Sequence, residues 1–204
     1  MANAVEIANT ALARVGNEDI LSLGDTDDQN ARVVNRHFNA TVREVLRSHR
    51  WSSATTRASL NRLTAAPAFG WKYQFQLPNN FVRAVYLNGA EVWEPIEDWV
   101  IEEDRVLTDE TTASLVYIYY DGTTTTKFDD LLAEAISLKL AYKIGPVLTG
   151  DPAIARQLLT QYDLALATAK TSDGQETGSN ENHPLEHLLA RSPIVKRRYI
   201  SNLG

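Results

Sequence analysis

Between two regions of helical periodicity lies a short run with a clean period of two. Trp71, Tyr73, Phe75 and Leu77 alternate with Lys72, Gln74 and Gln76, placing apolar side chains on one face of a strand and polar ones on the other. A helix cannot absorb that run, and a sheet cannot absorb its helical flanks. The expected fold class is therefore α+β: a helical bundle of long helices with an inserted small antiparallel β domain and an extended C-terminal arm. The expected division is N-terminal helices over 1–66, the β domain over 67–125, a helical hairpin packing on the N-terminal helices over 126–172, and a linker with the arm over 173–204.

The first helix is signalled by Ala4, Ala8, Ala11, Leu12 and Val15 on one face, with Gly16 as its stop. For the second, Thr26 and Gln29 fit a capping box, and Asp27 and Asp28 sit where the helix dipole favours negative charge. Its apolar face reads Ala31, Val34, Phe38, Val42, Val45 and Leu46; Arg32, Arg36, Arg43, Arg47 and Arg50 occupy the other side. This helix is expected to reach about Trp51 and to continue, bent, as far as Leu63. In the β region, Pro78-Asn79-Asn80 turns the chain, Phe81 to Leu87 returns it, and Asn88-Gly89 is a hairpin signal. Short strands are expected at 92–96, 99–101, 105–108 and 115–120.

Helical periodicity resumes at Phe128, Leu131, Leu132, Ala135, Leu138 and Tyr142, with Gly145-Pro146 as the expected end. A second apolar stripe, Ile136, Leu140 and Ile144, leaves little of this helix polar. Such a helix is either central in its fold or buried against another subunit. The last helix takes Asp151 as N-cap and Pro152 at its first position, with Ile154, Leu158, Tyr162, Ala165 and Ala169 inward. Residues 171–182 are polar and read as a flexible linker.

The chain has 204 residues, enough to bury a full core, and no cysteine, so disulfides, thiolate metal sites and cysteine nucleophiles are excluded. Its first residues carry neither a basic nor an apolar leader pattern, and no apolar run approaches the ~18 residues of a membrane span; a soluble protein is expected. Net charge is −6, unevenly placed. Residues 191–204 hold four bases and no acid, leaving 16 bases against 26 acids elsewhere, while residues 91–110 hold nine acids and one base. An acidic body repels nucleic acid, and a short basic tail can seek an acidic partner.

Few residues suggest chemistry. His183-Pro184-Leu185-Glu186-His187 matches a zinc-hydrolase spacing, H-x-x-E-H. It follows a polar linker and lacks a third ligand, so a solvated or partner-facing turn is expected instead. Glu94, Glu97, Asp98, Glu102, Glu103 and Asp104, with Trp93 and Trp99 nearby, supply carboxylates for a glycosidase pair. Such a pair needs one carboxyl held in a desolvating pocket, and crowded acids in turns usually face solvent. The arginines of the second helix could track phosphates, but the body around them is acidic, and an inter- or intra-subunit face suits them better. Trp71 is expected in the β core, and Trp51 between helix and β domain. No catalytic, cofactor or metal site is expected.

Ala11-Leu12-Ala13-Arg14-Val15-Gly16, then Ile20-Leu21-Ser22-Leu23, then a helix ending Arg43-Glu44-Val45-Leu46-Arg47-Ser48-His49-Arg50-Trp51, resembles head-to-tail adaptor proteins of short-tailed bacteriophages. Ala58-Ser59-Leu60 and Tyr73-Gln74-Phe75-Gln76-Leu77-Pro78-Asn79-Asn80-Phe81-Val82-Arg83 are similar to the same family, the tail tubular protein A or gatekeeper type. The likeness covers roughly residues 4–170 and is most specific at 43–51 and 71–83. It implies a structural virion protein of the tail, made in the host bacterial cytoplasm, with no enzymatic activity, cofactor or membrane. About twelve copies would form a ring joining the portal protein to the tail nozzle protein and letting double-stranded DNA pass. Within that reading, Arg36, Arg43, Arg47, Ile136, Leu140 and Ile144 are expected at the subunit interface. Ile194, Lys196, Arg197, Arg198, Tyr199, Ile200 and Leu203 are expected as the portal-binding arm. The other readings are a bacterial nucleic-acid-binding or regulatory protein, through the arginine helix, and a tail-associated glycan hydrolase, through the acidic β region.

Overall fold

The computed structural model describes residues 3–91, 98–122 and 125–176, the side chains of 90, 91 and 176 excepted. The chain divides into two compact units, Met1–Lys170 and Thr171–Gly204. Among the described residues the fold is mixed α+β, with four helices and two small antiparallel sheets.

Helix α1 (Ala4–Arg14) begins with a complete capping box. The Asn3 side chain accepts from the Val5 and Glu6 amides, and the Glu6 carboxylate accepts from the Asn3 amide at 2.7 Å. Gly16, at φ +72°, ends it as its sequence suggests. Helix α2 (Gln29–Arg47) departs from expectation at both ends. Its N-cap is Asp28, which accepts from the Ala31 amide at 3.1 Å, and not Thr26. Asp25 accepts from the Asp27 and Asp28 amides, so the chain is still turning at Thr26 and Asp28 becomes the cap.

At its other end α2 stops at Arg47, short of Trp51 and far short of Leu63. The Ser48 hydroxyl donates to the Val45 carbonyl at 2.7 Å, and the Trp51 indole donates to the same oxygen at 3.1 Å. A short 3-10 turn (Ser52–Ala54) leads into strand β1 (Thr55–Ser59). The β region therefore starts at Thr55 and not at 67. Thr55 and Thr56 favour extended backbone, and the partner strand lies some sixty residues downstream, where local periodicity gives no sign of it.

The other strands are β2 (Tyr73–Gln76), β3 (Phe81–Leu87), β4 (Ala90–Glu91), β5 (Trp99–Glu102), β6 (Arg105–Thr108) and β7 (Ser114–Tyr119). The strand expected at 92–96 lies outside the described residues. One sheet has the order β1-β7-β3-β4 and the other β2-β6-β5. Asn88 and Gly89, at φ 50° and 89°, turn β3 into β4 as the Asn-Gly signal predicts. After β1 the chain crosses to the second sheet: the Leu63 amide donates to the Gln74 carbonyl, and the Gln76 amide to that of Asn61. The stretch 55–63 thus borders both sheets. They enclose a core of Phe75, Leu77, Leu87, Val106, Leu115 and Tyr117.

Alternation in β2 is imperfect, because Gln74 is buried beside Phe75. Its amide donates to the Ala65 carbonyl and its oxygen accepts from Arg105, so the buried polar group is satisfied. Trp71, expected in the core, is only half-buried.

Helix α3 (Asp130–Thr149) starts at Asp129, which caps the Leu132 amide at 2.9 Å. It does not close at Gly145-Pro146. It runs through Pro146 to Gly150, whose φ of +70° supplies the left-handed stop. Pro146 lacks the N–H that would bond the Tyr142 carbonyl, so α3 passes its proline with one rung of the ladder missing. Leu132, Ile136, Leu140, Ala141 and Ile144 are all fully buried in the subunit's own main core, with residues of α1, α2 and the first sheet. Helix α4 (Ala153–Glu176) follows, with Asp151 accepting from the Ala153 amide at 2.8 Å. It continues through the first six residues assigned to the linker; 177–182 lie outside the described residues. Extending an existing helix costs little per residue, and no proline intervenes. No helix among the described residues is long and apolar enough to cross a membrane.

Candidate interaction surface

Two arginines of α2, Arg43 and Arg47, reach the sheet. A β-bulge between Phe81 and Arg83 interrupts the pairing of β3 with β7, leaving carbonyls that the ladder cannot serve. Arg43 donates to the Phe81 carbonyl at 2.8 Å and Arg47 to that of Val82 at 2.5 Å. Arg83 returns a bond from β3 to the Arg47 carbonyl at 3.0 Å. Arg50 bonds the Tyr86 hydroxyl and lies 4.5 Å from the centre of its ring. Arg32 turns back onto the carbonyls of Thr26 and Asp27. Trp51 is fully buried with Val82 and Val85, and so locks helix to sheet as expected.

Of the three arginines expected at a subunit interface, Arg43 and Arg47 are therefore bonded to their own chain. Arg36 is exposed and has no hydrogen-bond or ion-pair partner among the described residues. The apolar members of that expected interface need correction. Ile136, Leu140 and Ile144 are each 0% exposed within the subunit, because α3 is the central helix against which α1 and α2 pack. They are unavailable to a neighbour, and the alternative of a helix central in its own fold holds instead. All seven arm residues, Ile194, Lys196, Arg197, Arg198, Tyr199, Ile200 and Leu203, lie outside the described residues, as do His183 and His187.

The charges that interrupt α3 form a cluster that the sequence reading missed. Glu44 of α2 is clamped by Lys139 at 3.0 Å and Lys143 at 2.5 Å, and Glu134 pairs with Arg14 of α1. Lys139 also lies over the rings of Tyr142 and Tyr162. Burial raises the Glu44 pKa, but the hydrogen bonds and charges of Lys143 and Lys139 outweigh it and hold the group below its usual value. Two lysines four apart on an otherwise apolar helix were the available signal, since nearly buried cations need an acid opposite.

Among the carboxylates weighed as a hydrolytic pair, Glu103 (φ 53°) and Asp104 form the two-residue turn between β5 and β6. Asp98, Glu102, Glu103 and Asp104 are all exposed. A hydrogen bond from Gln76, with help from Arg105, holds the Asp104 carboxyl below its usual range, the wrong direction for a general acid. Glu94, Glu97 and Trp93 lie outside the described residues. No group of three or more His, Asp or Glu among the described residues could hold a metal ion.

A shallow, open cleft of about 340 Å³ lies where α2, the β2–β3 turn and the end of β7 meet. Asn39, Arg43, Asn79, Asn80, Tyr120 and Asp121 line it. The Tyr120 hydroxyl donates to Asn39 Oδ1 at 2.8 Å, and the Tyr117 hydroxyl to Asn80 Oδ1 at 3.1 Å. Burial, reinforced by Asp121 and opposed by Arg43, pushes the Tyr120 pKa up to about 12, so the phenol keeps its proton at neutral pH. The chain matches no protein-family profile and no curated protein.

Proposed function

We propose that this chain is a structural, non-enzymatic subunit of a short-tailed bacteriophage tail: a head-to-tail adaptor whose copies form a ring between the portal and the tail nozzle. In this reading the fold is a helical bundle of long helices carrying the β domain, with residues 173–204 as linker and arm. One observation carries the reading. The two stretches in which the resemblance is most specific, 43–51 and 71–83, are distant in sequence yet bond directly, through Arg43 to Phe81, Arg47 to Val82 and Arg83 to Arg47. Residues shared for architecture should meet at a joint, and these do. The acidic charge of the body also suits a passage for DNA, since phosphate affinity is carried by Lys and Arg, and most of the α2 arginines are occupied internally.

The test is imaging of the protein mixed with its portal. Closed rings seated on the portal with matching symmetry are the expected result. Protein that stays unassembled beside intact portals would sink the reading. Salt-dependent binding of duplex DNA by the isolated subunit would point instead to a nucleic-acid-binding protein.

A further inference from the structure

Asn88-Gly89 is the chain's one Asn-Gly pair, and the fold holds its asparagine at three points. The Asn88 amide donates to the Ser114 carbonyl at 2.9 Å. Its side-chain Oδ1 accepts from the Ser114 amide at 2.8 Å, and its Nδ2 donates to the Thr112 carbonyl at 3.1 Å. Both ends of the carboxamide are thus bonded to the segment that leads into β7, although the residue itself is exposed. The positive φ values of Asn88 and Gly89 account for the residue types in this turn. The clamp on the carboxamide is additional.

The same dipeptide is chemically unstable. Once its proton is lost to water or hydroxide, the Gly89 nitrogen can attack Asn88 Cγ. The Cγ–Nδ2 bond then breaks, and Nδ2 leaves as ammonia with a proton taken from solvent. Water opens the resulting cyclic imide at one carbonyl or the other, giving aspartate or isoaspartate. Glycine favours the ring because no Cβ crowds the nitrogen. Attack comes from above the plane of the carboxamide, so that plane must first swing toward the backbone. The bonds to Ser114 and Thr112 oppose the swing. The Ser114 bond also draws electrons from Cγ, but an activated carbon held away from its nucleophile does not react. Release is local. β4 pairs with β3 only through Tyr86 with Glu91 and Leu87 with Ala90, at the end of its sheet, so the hairpin can open without the rest of the fold.

We propose that Asn88-Gly89 is a self-modification site gated by the β3–β4 hairpin: it stays intact while the Asn88 carboxamide is clamped and is converted irreversibly once the hairpin opens. Conversion makes the opening one-way. An aspartate in its place still accepts from the Ser114 amide, but it has no hydrogen for the Thr112 carbonyl and sets a negative oxygen against it. Isoaspartate lengthens the backbone by a methylene, which a two-residue turn cannot absorb in register. The step consumes only water and stands apart from the ring-forming reading above.

The full chain is held at mildly alkaline pH, folded and in denaturant, and its asparagines are followed by peptide mass mapping. In denaturant Asn88 should convert before any other asparagine. In the folded chain it should convert at least about tenfold more slowly. Earlier conversion of another asparagine in denaturant overturns the site, and equal rates in the two states overturn the gate. Hydrogen exchange of the Asn88 backbone amide, which bonds the Ser114 carbonyl, reports opening independently. Conversion in the folded chain should rise with that exchange as urea is added below the unfolding transition. Conversion that proceeds while the amide stays protected overturns the clamp as its cause. Asn88→Asp stands in for one product and should melt below the wild type; an unchanged melt overturns the one-way step.

Discussion

Glu44 shows how a single side chain couples this fold to pH. It is ionised and clamped by Lys139 and Lys143 in the folded chain, and its folded pKa lies below the unfolded value. A depressed carboxyl contributes stability that is present above the unfolded pKa and is lost as pH falls through the folded one. Its side chain is 48% exposed, so solvent screening keeps the contribution below about 1 kcal/mol. Glu44→Gln should therefore unfold at slightly lower denaturant at pH 7, and the gap to the wild type should close in acid. An equal gap at both pH values would show that the clamp acts through packing and not charge. Trp51 lies at the other extreme of burial, at 0% exposure with its indole N–H on the Val45 carbonyl. Trp51→Ala should cost about 3–5 kcal/mol, read from chemical denaturation.

Helix ends separate what periodicity can reveal from what it cannot. The N-cap of α2 is Asp28, so Asp28→Ala should cost about 1 kcal/mol while Thr26→Ala changes little; thermal melts of the two variants decide between the caps. Capping boxes can be read one residue at a time, but here Asp25 holds the preceding turn, and its competition for the same amides is visible only in three dimensions. Elements with their own pattern were legible: α1, α3, α4 and most strands of the β domain stand near their predicted places. β1 was not, because Thr55–Ser59 owes its extended form to β7, far along the chain. The interface expected along Ile136, Leu140 and Ile144 failed for a related reason. A helix apolar on nearly all sides announces burial without saying whose side chains bury it. The cleft could not be read at all, since the orientation of Asn39 and Asn80 depends on tyrosines from β7 and its end.

Where α1, α3 and α4 converge, Gly145 governs how closely the whole helical layer can pack. A Cβ built there would stand 3.2 Å from Ile154, 3.3 Å from Val15 and 3.4 Å from Leu158. A single methyl group would require each neighbour to give slightly, whereas a branched side chain has nowhere to go. Gly145→Val should thus destabilise the subunit by about 1–3 kcal/mol through overpacking, measured by denaturant unfolding. Removal of residues 191–204 should act in the opposite sense, on assembly and not on stability. Among the described residues the two core clusters are built from side chains between Ile7 and Ala169, and the truncated chain is expected to melt as the full chain does. It also loses four bases and no acid, which takes the net charge from −6 to −10. If Ile194, Lys196, Arg197, Arg198, Tyr199, Ile200 and Leu203 carry portal docking, truncated subunits stay off the portal at any ionic strength, because apolar anchors are lost along with charge. Docking that weakens only at high salt would instead trace the contact to charge alone. Unimpaired docking would move it to the folded body, where Arg36 is the exposed α2 arginine without a partner among the described residues.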